Sequence, residues 1–112
     1  MELQARLQNL TKTSSLPELQ AYVEAMVQAR GFEDETLQEV MILLTEEIGE
    51  LAKEVRKSSA MKLDVSQDRQ GDMAGEIADV FMYLLAMCRI ADIDLFEAFK
   101  AKEIKNCQRV WQ

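Results

Sequence analysis

The sequence predicts an all-α domain built as a four-helix bundle, and three observations carry that expectation. One Pro and four Gly in 112 residues leave few interruptions. Leu, Met, Ala, Glu, Gln and Lys, all good helix formers, dominate the rest. Apolar residues recur with a helical period of about 3.6 residues over long stretches, and strand-like alternation is absent. Hydrophobic residues make up 48% and charged ones 29%, a globular balance rather than a disordered one. The length suits one core and is too short for two, so residues 1–112 form a single domain. Residues 1–14 stand apart as an N-terminal arm or short helix, with Leu3, Leu7 and Leu10 at near-helical spacing.

The bundle elements follow in order. Ser15-Leu16-Pro17-Glu18 reads as a helix start, with Ser15 as N-cap, Pro in the first turn and Glu18 closing a capping box. Leu19, Val23, Met26 and Val27 line one face of that helix, and Gly31 ends it. A second helix starts near Asp34–Thr36 and runs to about Ser58. Its stripe is Leu37, Val40, Met41, Leu44, Ile48, Leu51 and Val55, with Leu43, Glu47, Glu50 and Glu54 along one edge. From Ser58 to Asp72 the period is lost and Ser, Asp, Gln and Gly accumulate, which reads as an exposed loop.

The third bundle helix, about Met73 to Ala91, is apolar nearly all round, with Glu76, Asp79 and Arg89 as its charged residues. Such a helix has to be covered on several sides. A bundle of this size cannot do that alone, so the sequence predicts a homodimer packed on this third helix, with a tetramer as the alternative. The last helix starts at an Asp94 N-cap and runs through Phe96, Phe99, Ala101 and Ile104 to the C-terminus.

Composition removes several functions. A net charge of −7 and a pI of 4.6 disfavour nucleic-acid binding, which needs Lys and Arg to neutralise phosphates. The chain has no His, so Ser-His and Cys-His catalysis, His-ligated zinc and the Glu-x-x-His di-iron motif are excluded. Cys88 and Cys107 have no disulfide-framework spacing, and Cys88 in its apolar run reads as a small buried hydrophobe. Reduced thiols, no signal peptide and no long apolar run predict a cytoplasmic protein without a membrane span.

Two acidic segments point to chemistry. Glu46-Glu47-Ile48-Gly49-Glu50 and Glu76-Ile77-Ala78-Asp79 each place two carboxylates one turn apart on a helix, Glu47 with Glu50 and Glu76 with Asp79. Four carboxylates brought together repel unless a divalent cation lies between them, and Mg²⁺, with Mn²⁺ as substitute, prefers such an all-oxygen site. A carboxylate inside an apolar helix carries a desolvation cost unless it is neutral, paired or metal-bound. Salt bridges are the competing explanation. Lys53 and Arg56 stand where they can pair with the first segment, and a Lys or Arg of a neighbouring helix can pair with the second.

In these segments the chain resembles the MazG-like nucleoside triphosphate pyrophosphohydrolases of the all-α NTP pyrophosphohydrolase superfamily. Their signature, Glu-Glu-x-x-Glu followed after a gap by Glu-x-x-Asp, stands here as Glu46-Glu47-Ile48-Gly49-Glu50 and Glu76-Ile77-Ala78-Asp79, and the resemblance extends over about residues 16–111. It implies a MazG-like bundle with Glu47, Glu50, Glu76 and Asp79 as Mg²⁺ ligands and Glu46 as an outer-shell carboxylate, with Glu46 or Glu47 as the catalytic residue that orients the attacking water or takes its proton. Lys105 and Arg109, four residues apart with Asn106 beside them, match the family's triphosphate-facing cations. By the same resemblance the substrate is an NTP or dNTP, cleaved between the α and β phosphates to a monophosphate and pyrophosphate. Phosphoribosyl-ATP is the alternative substrate within the superfamily, and a non-catalytic helical dimer is the alternative outside it. Longer relatives carry a second domain copy or an aromatic-rich segment that holds the base. This chain has 6% aromatics and no identifiable base reader. Lys62 and Arg69 in the loop are further candidate phosphate contacts.

Overall fold

Ser15 and Glu18 do cap a helix, and do so reciprocally. The Glu18 N–H donates to Ser15 Oγ at 3.2 Å, and Ser15 N–H donates to Glu18 Oε1 at 3.4 Å. In a computed structural model, described over residues 2–64 and 70–111, five α-helices follow one another. They are α1 (Leu3–Asn9), α2 (Leu16–Ala29), α3 (Leu37–Ser58), α4 (Met73–Ala91) and α5 (Leu95–Cys107), and no strand occurs among the described residues. A side-chain cap also stands at the starts of α3, α4 and α5, though not at that of α1. Thr36 accepts from Glu39 N–H, Asp72 from Gly75 N–H and Asp94 from Glu97 N–H, so one orphan donor of each helix is satisfied locally. Gly31, at φ 76°, turns the chain after α2. Asp92, at φ 55°, does so after α4.

The core lies where α2, α3 and α4 meet. Val23 and Val27 of α2, Val40 of α3, and Leu85 and Ala86 of α4 form one buried cluster, and Leu19, Tyr22, Met26, Phe81 and Met87 pack around it. The α3–α4 pair has the largest interface, and it is antiparallel: Glu54 reaches Asp72 at one end, and Glu47 meets Asp79 further along. Helix α1 leans on α2. The α4–α5 turn is tied to α2 by Gln20, which donates to Ile93 O at 2.9 Å and accepts from Leu95 N–H at 2.8 Å.

The chain departs from a closed four-helix bundle. Helix α5 packs chiefly on α2, has no buried residue, and presents Phe96, Phe99 and Ile104 to solvent. It stops at Cys107, short of the C-terminus, because the backbone beyond Gln108 leaves the helix with Arg109 turned back over Trp111. Of the α3 stripe only Val40 and Leu44 are buried, while Leu37, Met41, Ile48 and Val55 stay exposed. Helix α4 likewise leaves Met73, Ile77 and Leu84 uncovered. The radius of gyration is 17.2 Å, against about 13 Å for a compact domain near this size. Among the described residues no helix is long and apolar enough to cross a membrane.

Candidate metal centre

The antiparallel pairing of α3 and α4 brings the edge of one apolar stripe against the first turns of the other helix. As a result Glu47, Glu76 and Asp79 converge, each half-buried and each offering a carboxylate oxygen within 4.8 Å of the others. Glu50, one turn along α3, lies outside this tight group. Its side chain is half exposed and sits 3.5 Å from Lys53 Nζ, the pairing that the helix spacing allows. Glu46 is exposed beside it.

Glu76 bears the electrostatic load of the cluster. Its Oε2 is shut off from solvent and has no hydrogen-bond partner among the described residues. Its pKa is raised to about 7, first by a hydrogen bond shared with Glu47, which requires a proton on one of the two carboxyls. Burial and the negative charges of Glu47, Asp79 and Glu50 raise it further. The groups acting on it are thus all acidic. Without a cation the cluster relieves its repulsion by holding a proton; a divalent ion would relieve it by replacing that proton. An orphaned carboxylate oxygen in an all-carboxylate donor set fits a hard ion such as Mg²⁺ or Mn²⁺ and offers nothing to a soft one.

Beside the cluster lies a cavity of about 340 Å³ between α2, α3 and α4, lined by Met26, Arg30, Phe32, Glu35, Leu43, Met82 and Tyr83, with Asp79 on its wall. Burial and the charges of Glu47, Glu35, Asp79 and Glu46 raise the Tyr83 pKa, so its hydroxyl keeps its proton at neutral pH. These lining residues come from three elements far apart in sequence, and no spacing rule assembles them. A second cavity, about 350 Å³, sits between α2 and the α4–α5 turn. Arg89 lines it together with Glu24, Asp92 and Asp94, it touches none of the cluster, and Arg89 Nε is buried with no acceptor among the described residues. The cavity that shares Asp79 is the one relevant to the centre.

The cationic residues lie elsewhere. Lys105 is exposed on α5, Asn106 Nδ2 donates to Glu103 at 3.5 Å, and the Arg109 guanidinium stacks 4.8 Å from the Trp111 ring beyond the end of α5. Arg109 therefore does not continue the helical face that carries Lys105. Neither cation is among the charges acting on Glu76. Lys62 is exposed after α3, and Arg69 lies outside the described residues.

Residues 35–111 match the model of the MazG nucleotide pyrophosphohydrolase domain, most of the chain and all of α3, α4 and α5. The chain belongs to the MazG family. No curated protein matches it. The MazG match starts at residue 35 rather than near residue 16, so α2, which supplies Val23, Val27 and one wall of the cavity, lies before the matched segment. Membership assigns the chain to the nucleotide pyrophosphohydrolases, and both acidic segments fall inside the MazG match.

Proposed function

We propose that this MazG protein is a divalent-metal-dependent nucleoside triphosphate pyrophosphohydrolase that cleaves an NTP or dNTP between its α and β phosphates, serving nucleotide-pool cleaning. The observation that carries the reading is the convergence of Glu47, Glu76 and Asp79, together with a buried Glu76 carboxylate oxygen that has no hydrogen-bond partner among the described residues. These three residues hold Mg²⁺ or Mn²⁺, and Glu50 joins them by giving up Lys53, an exposed partner whose loss costs little. A divalent ion held there neutralises phosphoryl oxygens and acidifies bound water. Glu46, exposed and adjacent to Glu47, orients the attacking water or takes its proton. The nucleoside occupies the cavity beside Asp79, whose volume is in the range of small-molecule sites, with Phe32 and Tyr83 against its flat surfaces and Arg30 and Glu35 as polar contacts.

Lys105, Asn106 and Arg109 grip the phosphates in this reading, and a second copy of the chain delivers them. Support comes from the uncovered apolar faces of α3, α4 and α5. The accessible surface is 8641 Å², whereas a compact 12.8 kDa monomer exposes about 6,300 Å². The excess is about 2,300 Å² per chain, or about 4,600 Å² for two chains, within the total range that obligate homodimers bury.

The test is pyrophosphate release from a panel of ordinary and modified NTPs and dNTPs, with Mg²⁺ or with EDTA, beside a Glu76→Ala control. Metal-dependent release that disappears in a helical, folded Glu76→Ala protein supports the reading. Undiminished release in that variant refutes it. Release from phosphoribosyl-ATP alone moves the assignment to the related enzyme of the superfamily.

A further inference from the structure

Glu54 is a charged residue that the acidic motif does not include, yet its side chain is only 13% exposed. Oε1 pairs with Lys57 Nζ at 3.3 Å, one turn on along α3. Oε2 crosses to the other helix and accepts the Asp72 N–H at 3.0 Å. Asp72 is the N-cap of α4: its Oδ1 accepts from Gly75 N–H at 2.9 Å, and its carbonyl accepts from Glu76 N–H at 3.1 Å. One carboxylate on α3 is therefore linked through a single backbone unit to the residue that carries the strained carboxyl of the cluster. The site of contact is tight, since a Cβ on Gly71 would overlap the Glu54 carboxylate. Seven residues separate Glu54 from Glu47 on α3, and seven separate Asp72 from Asp79 on α4. In an antiparallel pair these equal offsets mean that seating Asp72 on Glu54 sets Asp79 opposite Glu47, two turns away.

We infer that Glu54 is a positioning residue, a strut that fixes the start of α4 against α3 so that Glu76 and Asp79 meet Glu47; this rests on the reading of that cluster as a metal site. Glu54 binds no ion itself. It works through one hydrogen-bond acceptor, the oxygen that takes the Asp72 N–H, so that oxygen is indispensable and the charge shared with Lys57 is not. A side chain at Gly71 would push the Glu54 carboxylate, the movable end of a flexible side chain, away from Asp72.

The experiment is a Mn²⁺ titration of the nucleotide-free protein, with Glu54→Gln, Glu54→Ala and Gly71→Ala beside the unaltered chain and helical content checked for each. Glu54→Ala and Gly71→Ala are expected to weaken Mn²⁺ binding about tenfold or more, the usual scale for outer groups that orient ligands. Glu54→Gln keeps the acceptor and should stay within about threefold of the unaltered protein. Equal loss in Glu54→Gln and Glu54→Ala would show that only charge matters and would overturn the strut. Unchanged affinity in Gly71→Ala would overturn it as well, even if Glu54→Ala does not fold. Absence of Mn²⁺ binding by the unaltered protein would instead overturn the metal-site reading beneath it.

Discussion

Metal binding at the cluster should depend on pH through the proton that Glu76 and Glu47 share. Its pKa of about 7 means that, at neutral pH and without a cation, this carboxyl is about half protonated. An incoming divalent ion has to displace that proton. Apparent affinity should therefore fall about tenfold for each pH unit below 7 and level off above about 8. Each ion bound should release close to one proton well below pH 7 and almost none well above it. Calorimetric titration of Mn²⁺ in buffers of different ionisation enthalpy reads both quantities, and Glu76→Gln should abolish the proton release. The metal-free protein should show the opposite trend in stability. An acid whose pKa rises from 4.5 in the unfolded chain to about 7 in the folded one binds its proton more tightly when folded. The contribution of this group is thus complete below pH 4.5 and disappears as pH climbs to about 7. Metal affinity that stays flat from pH 6 to 8, with no proton released, would refute the placement of Glu76 against Glu47 as the electrostatic centre of the site.

Three further outcomes are expected. Leu85→Ala removes a side chain only 1% exposed at the meeting of α2, α3 and α4 and should cost about 2–5 kcal/mol in chemical denaturation; a cost below about 1 kcal/mol would contradict that core. The unaltered chain should sediment as a dimer or larger, and Leu84→Asp, on the uncovered side of α4, should reduce it to a monomer; a monomeric unaltered chain at micromolar concentration would remove the dimer. Thiol reagents followed by mass spectrometry should label exposed Cys107 first, because burial and Asp94 push the Cys88 thiol pKa up and the residue is buried.

Much of this was legible because it is local. Ser15, Thr36 and Asp94 each cap a helix through a neighbour three residues on, so the sequence pattern and the hydrogen bond are nearly the same statement. The acidic segments were legible for a similar reason, since i,i+3 spacing on two helices puts carboxylates at the edges of stripes that must face each other. Spacing could not separate Glu47 from Glu50. Both lie on the same edge, and only the rotation of α3 against α4 sends one toward Glu76 and leaves the other beside Lys53. The cavity beside Asp79 and the contact from Glu54 to Asp72 join residues whose proximity follows from tertiary packing, and neither leaves a periodic trace. The last helix was read too long because Lys105, Asn106 and Arg109 keep a helical spacing that the backbone abandons after Gln108. The uncovered faces of α3 and α5 are one failure seen twice: periodicity says which residues avoid water, not which molecule covers them.

The tie between α2 and the α4–α5 turn bears on how the chain is made. Val23 and Val27 have no core to enter until Leu85 and Ala86 exist, and Gln20 has no turn to hold until Ile93 and Leu95 do. Between Val23 and Leu85 a ribosome adds 62 residues, an interval of about 3–12 s. Until it ends, the apolar positions of α2 and α3 lack the α4 surface that covers them. The core that α2 enters therefore closes only once the fourth helix is made, so a nascent chain should stay open to unproductive association until then.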